Sequence, residues 1–545
     1  MLKSNFFNII CILSGIFFLV FPLFGADIDD WRYGFADGYQ DIVITRYVGN
    51  SSEVVIAEML DGKPVTSITG NIFANKRDIL TKVTVPSSIT VIPSGMFSGC
   101  KNLKTVVLHD KITAIEDSAF YKCESLEEII IPLNTTIIGD SAFYGCTSLS
   151  KVTIPKNVET IDNSAFAYCN NLTEVNFSGN ITTLGRYAFA YCKSLPKIDI
   201  PGSVATIDAQ AFLNCEELTT AILNEGTAKV DKFAFSGCEN LTEITLPGSI
   251  SVVSSGMLNE RKKLKTVVLG EGIITIEPNA FSGCESLTDI NIPNSVKTIK
   301  SSAFFGCKSL QKIDIPGSVA TIEMLTFRDC AALTTVILNE GTTAMEYSAF
   351  TDCHNLTEIT IPGSVSVIPS GMFSGLNKLK TVILKEGVSG IKSAAFSNCL
   401  GLTEITIPGS VLAIPEKMFN GCKNLKTITL SRGTISIGNS AFSNCTKLES
   451  INIPDTVSAI GDNSFEMCVM LRSITLPSSL TSIGSYAFYK CELLREINIP
   501  IGVKHMGYGA FNSCKYLSKV IATKDIPNWR ELFMNCELLK DVTIE

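Results

Sequence analysis

The sequence predicts an α/β-type repeat solenoid that is mostly β, with about 21 coils of roughly 23 residues and parallel strands on one face. Three observations predict it. An aromatic residue, replaced once by leucine, recurs with a spacing of 23 residues, each unit holds two apolar segments joined by a turn, and a cysteine recurs at one position of the unit. Regular spacing of this kind is the signature of stacked units, because a single unit cannot bury its apolar face alone.

The aromatic residues define the length of the unit. The interval from Phe73 to its successor is one residue longer than the repeat, the interval that ends at Phe533 is one residue shorter, and every other interval is the same. The positions between them are Phe97, Phe120, Phe143, Phe166, Phe189, Phe212, Phe235, Leu258, Phe281, Phe304, Phe327, Phe350, Phe373, Phe396, Phe419, Phe442, Phe465, Phe488 and Phe511. We expect them to stack as a spine, with coils about 4.8 Å apart.

Residues 402–419 illustrate one unit. Leu402, Ile405 and Ile407 are predicted to point inward, since the last two alternate with a threonine as in a half-buried strand. A Pro-Gly turn ends this strand, and a second apolar segment begins the return path. The small residue and phenylalanine that follow are expected to form a short helical turn over the core.

The order Cys-x-x-Leu-x-x-Ile-x-Ile-Pro, followed by Val-x-x-Ile and Ala-Phe, resembles the BspA-like class of leucine-rich repeats. The resemblance covers residues 53–545, and residues 53–73 look like the opening coil of that family. It implies a leucine-rich-repeat superhelix. It also implies a protein of bacterial or protist surfaces, whose relatives are implicated in adhesion to matrix proteins, binding to other microbes or contact with host cells.

Eighteen of the nineteen cysteines occupy one repeat position, three residues after the aromatic one. We interpret them as a structural ladder of buried thiols, which includes Cys100, Cys123, Cys146, Cys169, Cys192, Cys215 and Cys238. The alternatives are disulfides and a metal array. Arg261 and Leu376 interrupt the ladder and leave runs of seven, four and seven cysteines, and the two odd runs cannot pair completely between neighbours. Stacked Cβ atoms about 4.8 Å apart lie slightly beyond disulfide preference, and no close Cys-x-x-Cys pair suggests zinc.

The sequence predicts no catalytic, metal or cofactor site. Its three histidines, His109, His354 and His505, fall in different coils, so no histidine cluster or charge-relay triad can assemble. No nucleophile elbow, zinc-protease helix or glycine-rich phosphate loop occurs. Adjacent acids such as Glu127 and Glu128 are typical of solvated charge. We therefore expect a protein that is not an enzyme and that has no cofactor.

Residues 1–25 have a lysine followed by a long apolar stretch and end in small residues, which indicates a secretory signal peptide cleaved near Gly25/Ala26. An uncleaved anchor is the alternative. Residues 26–52 are interpreted as an N-terminal capping segment and 53–545 as the solenoid. No later stretch is apolar enough to span a membrane. The net charge of −8 is spread without a basic cluster, which argues against nucleic acid as a partner.

Outward positions of the predicted strands form columns along the sheet, and such columns are the usual binding surface of a solenoid. Strand propensity alone would also select the threonines and β-branched residues found in them. The candidate ligand-binding positions are Thr105, Val107, Glu128, Ile130, Lys151, Thr153, Glu174, Asn176, Lys197, Asp199, Glu243, Thr245, Glu358 and Thr360.

Two features concern the array as a whole. Residues 201–296 recur at 316–411, five coils later, which indicates tandem duplication. The duplication could raise avidity for a repetitive partner or could be neutral expansion. The sequence ends on an apparent strand, residues 542–544, whose uncapped edge predicts self-association or a covering partner, unless the gene product is incomplete.

These observations together predict a secreted or cell-surface solenoid that binds a protein ligand and acts as an adhesin. One alternative is a structural component that associates with itself. Another is a carbohydrate-binding module, for which aromatic platforms on the outward columns would be expected. The columns contain none, and Trp31 and Trp529 lie outside the regular array.

Overall fold

A computed structural model describes residues 28–36, 40–522, 528–540 and 542–544. The predicted signal peptide and its cleavage point lie outside these residues. The described chain is a parallel-strand solenoid of about 21 turns, which confirms the predicted fold class. Helix is confined to the short α-helix Trp529–Leu532 and the 3-10 turns Ile28–Asp30 and Gly248–Ile250 in the part of the chain that is described.

In most coils a strand follows the cysteine position of the repeat and pairs in register with its equivalent in an adjacent coil, which forms what we call the main ladder. Its outward side chains form the strand face. The ladder is divided into several short sheets rather than one continuous sheet. Its strands are Glu53–Val55, Lys82–Thr84, Thr105–Val107, Lys151–Ile154, Glu174–Phe177, Lys197–Ile200, Thr220–Leu223, Glu243–Leu246, Thr266–Leu269, Asp289–Ile290, Lys312–Ile315, Thr335–Leu338, Glu358–Ile361, Thr381–Leu384, Glu404–Ile407, Thr427–Leu430, Ser450–Asn452, Glu496–Ile499, Lys519–Ala522 and Thr543–Ile544.

The return path of each coil adds a second parallel ladder of two-residue strands, the short ladder. The second residue of each strand is apolar, and its side chain points into the core. These strands are Val91–Ile92, Ala114–Ile115, Ile137–Ile138, Thr160–Ile161, Thr183–Leu184, Thr206–Ile207, Lys229–Val230, Val252–Val253, Thr275–Ile276, Thr298–Ile299, Thr321–Ile322, Ala344–Met345, Val367–Ile368, Gly390–Ile391, Ala413–Ile414, Ser436–Ile437, Ala459–Ile460, Ser482–Ile483 and His505–Met506.

The segment around each Ala-Phe pair is a series of turns, so the expected helical turn was wrong. Ser118 and Lys122 have φ of 55°, which is incompatible with a right-handed helix. This arrangement directs alternate backbone N–H groups toward the next coil, where the N–H of Phe120 donates to the carbonyl of Ala142 at 2.7 Å. We call this third hydrogen-bonded column the turn ladder. In the turn ladder, backbone N–H and C=O groups form hydrogen bonds with the adjacent coil. In a helix the same groups would have been paired within one coil.

At the amino-terminal end of the described chain, Trp31–Phe35 pairs antiparallel with Ile42–Tyr47. The latter strand pairs in parallel with Lys63–Ile68, which also pairs antiparallel with Met59–Leu60. The Trp31 ring lies 4.9 Å from that of Tyr47, and Tyr47 lies 5.6 Å from Phe73. This hairpin therefore places two aromatic rings in line with the phenylalanines of the first coils.

The core is a set of parallel spines. Phenylalanine rings of adjacent coils stack with centroids 5.0–5.9 Å apart, except where Leu258 takes the position between Phe235 and Phe281. Leucine, isoleucine and alanine at the other inward positions are almost fully buried. All but the outward positions of a coil are thus committed to stacking.

Candidate functional site

The predicted candidate residues form two outward columns on the main ladder where the strands pair. Lys151 is opposite Glu174, and Thr153 is opposite Asn176. Glu128 pairs with Lys151 through a single bridge, and Ile130 next to it is 82% exposed. Thr105 and Val107 belong to a separate sheet that begins at the strand Glu53–Val55. The structure therefore brings Glu128, Lys151 and Glu174 together but divides the surface on either side of them.

The best-connected polar group on this surface surrounds Glu174. The Nζ of Lys151 lies 2.9 Å from Glu174 Oε1, and the Asn176 side-chain amide donates to the same oxygen at 2.7 Å. The two donors, Lys151 first, hold the pKa of Glu174 below its ordinary value. All three side chains are accessible to solvent, so this group is a charged surface patch rather than a buried pair.

A second group lies in the sheet that starts at Lys197. The Asn224 side chain donates to Asp199 Oδ1 at 2.8 Å, and Glu243 and Thr245 continue the columns further along the sheet. Five coils later, Asn339 donates to Asp314 at 2.7 Å, and Glu358 and Thr360 occupy the equivalent positions. The candidate positions Glu243 and Glu358 are therefore copies of one local arrangement, not parts of one site.

A shallow groove of about 440 Å³ crosses the strand face at the second of these copies. Its walls include Thr335, Ile337, Glu358, Thr360 and Lys385. The hydroxyl of Thr335 donates to Glu358 Oε1 at 3.2 Å. Hydroxyl, carboxylate, ammonium and aliphatic groups alternate along it, which is a mixture suited to recognising another macromolecule rather than to activating a nucleophile.

The cysteines of the ladder are buried, apart from the half-buried Cys536, and their thiols are free. From Cys123 onward, the Sγ donates to the carbonyl of the spine residue in the preceding coil, as Cys123 does to Phe97 at 3.2 Å. Burial raises the pKa of Cys100 and Cys169 to about 12. Such thiols stay protonated and unreactive at neutral pH.

The first interruption of the cysteine ladder preserves its hydrogen bond. Arg261 Nη2 lies 3.4 Å from the carbonyl of Phe235, the oxygen that a cysteine would reach from this coil. Leu376, at the second interruption, brings only apolar volume to the core, where it is 2% exposed. The cysteine position of the repeat therefore tolerates another residue when that side chain fills the space of the thiol.

The histidines are separate, as their positions in the sequence predict. His109 Nε2 lies 2.7 Å from the carbonyl of Pro86, and exposed His354 lies 3.8 Å from Asp352. Within the described ranges, no group of three or more histidine, cysteine, aspartate or glutamate side chains is placed to hold a metal ion. The part of the chain that is described also includes no helix long and apolar enough to cross a membrane.

Sequence reasoning missed one surface feature, a column of stacked tyrosines on the turn ladder. Tyr121, Tyr144, Tyr168 and Tyr191 lie in four successive coils with ring centroids 4.3–5.1 Å apart. Their rings are half-buried. The column changes repeat position between Tyr144 and Tyr168, whose separation is one residue longer than the repeat, so alignment on a fixed period does not reveal it.

These coils, with their parallel main ladder and leucine and phenylalanine spines, define a leucine-rich-repeat solenoid. The sequence profile of the BspA type leucine rich repeat region, which represents six copies, matches residues 66–196, 182–311, 297–426 and 412–540. The chain belongs to this family. Its members are typically surface or secreted proteins and are generally non-enzymatic. No curated protein matches the chain.

Several solved structures are similar to the chain. A leucine-rich repeat protein of Bacteroides ovatus is 22% identical over 94% of this chain and 99% of its own, with a TM-score of 0.28. A leucine rich cell surface protein of Faecalibacterium prausnitzii is 24% identical over 82% and 92%, with a TM-score of 0.27. The pneumococcal vaccine antigen PcpA is 19% identical over 79% and 90%, with a TM-score of 0.32.

Proposed function

We propose that this protein is a secreted or cell-surface adhesin that binds a protein ligand through its strand face. The ligand is carried by host matrix, host cells or other microbes. The role is non-enzymatic, and the candidate residues from Thr105 to Thr360 contribute contacts rather than chemistry. Mixed charge, threonine hydroxyls and exposed β-branched residues favour a protein ligand over nucleic acid, which would require concentrated cations.

The observation that carries the proposal is that the charged positions of the strand face keep their charge in both copies of the duplicated segment. On the strand face of these coils seven pairs are identical, namely Lys197/Lys312, Asp199/Asp314, Thr220/Thr335, Ile222/Ile337, Glu243/Glu358, Thr245/Thr360 and Thr266/Thr381. Three pairs differ, namely Val268/Ile383, Asp289/Glu404 and Asn291/Thr406, but the acidic position of the second of them stays acidic. Elsewhere in the same coils some accessible charges are retained, as in Glu225/Glu340 and Lys263/Lys378, but several are lost, as in Glu216/Ala331, Lys232/Tyr347 and Glu239/His354.

Structural constraint explains only part of this agreement. Asp199 is held by its hydrogen bond to Asn224, and strand propensity accounts for the threonines and isoleucines. Strand propensity does not favour the exposed Lys197/Lys312 and Glu243/Glu358 pairs, because lysine and glutamate are depleted in strands. Retention of a charge pattern that the fold does not need supports a ligand on this face and favours functional duplication over neutral expansion.

The test is to screen the full secreted chain against immobilised matrix proteins, whole cells and glycans in parallel. We expect saturable binding to a protein that is lost when Glu128, Lys151 and Glu174 are reversed in charge together. Glu243→Lys with Glu358→Lys is expected to weaken the same binding. Because their equivalents are already Ala331 and Ala332, Glu216→Ala with Glu217→Ala is the matched control and should bind normally.

Two results would overturn the proposal. Binding to glycans alone would favour a carbohydrate-binding module, and association only with other copies of the chain would favour a structural component. Sedimentation of the same preparation distinguishes the second result from simple inactivity. Protein binding that survives all of the strand-face variants would place the ligand elsewhere on the solenoid.

A further inference from the structure

Positively charged side chains collect in the carboxyl-terminal coils. Residues 376–522 contain fifteen lysine and arginine residues against nine aspartate and glutamate residues, although acids outnumber cations 53 to 45 in the whole chain. Cations of neighbouring coils are far apart in the sequence, so they form a cluster only when the coils stack. The exposed cations between the cysteine position and the main ladder in five successive coils form what we call the basic band, namely Lys378, Lys380, Lys423, Lys426, Lys447 and Arg472.

Ion pairs in the amino-terminal coils show that side chains at the same repeat position of adjacent coils reach each other. At the position after the cysteine, the Nζ of Lys101 lies 3.4 Å from Glu124 Oε1. At the position after the core leucine, the Nζ of Lys104 lies 3.9 Å from Glu127 Oε1. Opposite charges on adjacent coils therefore neutralise each other along these two columns.

The basic band lacks this neutralisation. Lys423 and Lys447 have no acid at the equivalent position of either adjacent coil. Within the described ranges, none of the six cations has a carboxylate oxygen within 4.0 Å. Two acids, Glu404 and Glu449, lie in the same part of these coils, so an excess of four positive charges faces the solvent. Because like charges on one surface repel each other, this arrangement does not serve the stability of the fold.

The duplicated segment indicates how the excess arose. Residues 256–296 contain four cations and five acids, whereas their copies in 371–411, where the basic band begins, contain four cations and two acids. Three acids are lost, in the pairs Glu260/Gly375, Glu277/Lys392 and Glu285/Leu400. The number of cations is thus unchanged while acids beside them disappear, which favours a surface that attracts anions.

We propose that the basic band binds a linear sulfated polysaccharide. Five of its six cations are lysines, whose compact ammonium groups donate to tetrahedral oxyanions without a fixed geometry, whereas the planar guanidinium of arginine matches carboxylates better. The exposed hydroxyls of Thr403 and Thr427 lie between the cations as further donors, and Thr427 lines a shallow groove of about 320 Å³ together with Lys380.

The composition of the basic band argues against nucleic acid, the other common polyanion. Proteins bind single-stranded nucleic acid by stacking its bases on aromatic side chains beside a positively charged groove. No aromatic residue occurs between the cysteine position and the main ladder in these five coils. A sulfated polysaccharide needs no such rings, because its charges are recognised by ammonium and hydroxyl donors.

This site is separate from the candidate positions of the strand face, so it stands or falls independently of the proposed function. The test uses fluorescein-labelled heparin and the full chain, with fluorescence anisotropy as the readout. We expect saturable binding that weakens as the salt concentration rises, because salt screens the attraction and opposes the release of counterions. Hyaluronan, which has carboxylates but no sulfate, should not compete.

A triple variant tests the cations themselves. Lys423→Gln with Lys447→Gln and Arg472→Gln is expected to weaken heparin binding at least about tenfold. The matched control removes three ion-paired cations of the amino-terminal coils, in Lys101→Gln with Lys104→Gln and Lys193→Gln. It changes the net charge equally and should bind heparin as the parent does. Both variants should melt close to the parent, since these side chains are exposed.

Several results would overturn the proposal. One is failure of the parent to bind heparin, and another is an equal loss of binding in both variants, which would indicate attraction by net charge alone. Equal affinity for hyaluronan or for single-stranded DNA would also overturn it, because neither polymer carries sulfate. Heparin binding that is lost when Glu128, Lys151 and Glu174 are reversed in charge would contradict a site separate from the strand face.

Discussion

The Sγ of Cys123 donates a hydrogen bond to the carbonyl oxygen of Phe97, in the preceding coil, at 3.2 Å. The same contact recurs along the ladder, for example from Cys284 to Leu258 at 3.1 Å and from Cys468 to Phe442 at 3.2 Å. Each of these cysteines therefore joins two coils through a polar contact within an apolar interior. A thiol is the side chain that combines small volume, tolerance of burial and a weak donor.

We expect the solenoid to lose stability steeply at alkaline pH. Burial raises the pKa of thiols such as Cys169 from an ordinary 9.0 to about 12. The stabilisation is complete below pH 9, where unfolded thiols are also protonated, and is lost as pH rises toward 12 because unfolded thiols ionise first. Each such thiol lowers the free energy of unfolding by roughly 1 kcal/mol per pH unit within this range. Urea unfolding between pH 8 and 11 measures this slope, and Cys169→Ala should make it shallower. An unchanged slope in the variant would contradict the assignment.

The phenylalanine spine should tolerate leucine but not alanine. Phe304 is fully buried between Phe281 and Phe327, with ring centroids 5.3 and 5.4 Å away. Phe304→Ala removes this stacking and leaves a cavity, with an expected cost of about 3–5 kcal/mol. Phe304→Leu should cost clearly less, because Leu258 already occupies the spine position in one coil. Hydrogen exchange of the coil around residue 304 measures the loss of stability in each variant. Equal losses in the alanine and leucine variants would argue against ring stacking as a source of stability.

One glycine contact should be indispensable. Gly341 has φ of 112°, and a Cβ there would approach the carbonyl oxygen of Gly317 in the preceding coil. Gly341→Ala is therefore strained by both conformation and contact. Gly375 is a control with φ of 76° and no neighbour within 4 Å of such a Cβ. We expect Gly375→Ala to cost about 1 kcal/mol and Gly341→Ala substantially more in urea unfolding. A similar loss of stability in the two variants would show that the backbone of the preceding coil can move away from the added methyl group without an energetic penalty.

The Lys151–Glu174 pair should affect the pKa of Glu174 more than the stability of the fold. Lys151→Met is expected to move the pKa of Glu174 up toward its ordinary value, because the first of its two donors is lost. The pair stabilises the native state at pH values above the ordinary pKa of glutamate. This stabilisation is lost as the pH falls through the lowered pKa of Glu174. Titration of ¹³C-labelled glutamate carboxyls reports the shift, with Lys312→Met as a control. The melting temperature should change little, since both partners are exposed.

We propose that residues 26–52 cap the solenoid, and Trp31 offers the test. Trp31 is 1% exposed, and its Nε1 has no hydrogen-bond partner among the described residues. Trp31→Ala should destabilise the first coils by about 3–5 kcal/mol, whereas Trp31→Phe keeps an aromatic ring and removes an unpaired donor. Limited proteolysis followed by mass spectrometry would locate the damage. Cleavage spread evenly along the chain, or none in Trp31→Ala, would argue against a capping role.

The period of the sequence was sufficient to predict the solenoid, its inward leucines and phenylalanines, and the register of the strand face. Stacking makes each inward position equivalent in every coil, so selection for burial leaves a repeated pattern. The same pattern could not indicate how the Ala-Phe segment turns. The spacing of apolar residues predicts only which positions are buried. The turn depends on residues in the left-handed backbone conformation, such as Ser118 and Lys122, and serine and lysine do not by themselves indicate a φ near 55°.

The sequence by itself therefore determined the unit, the core and the free, unreactive character expected of the cysteines. The tertiary structure alone decided which surface residues meet. It joined Asn224 to Asp199 and divided the candidate face into separate sheets. It also aligned Tyr144 with Tyr168, although their repeat positions differ by one. The physical reason is that burial repeats with the chain, whereas contact between exposed side chains depends on the direction in which each backbone position projects them.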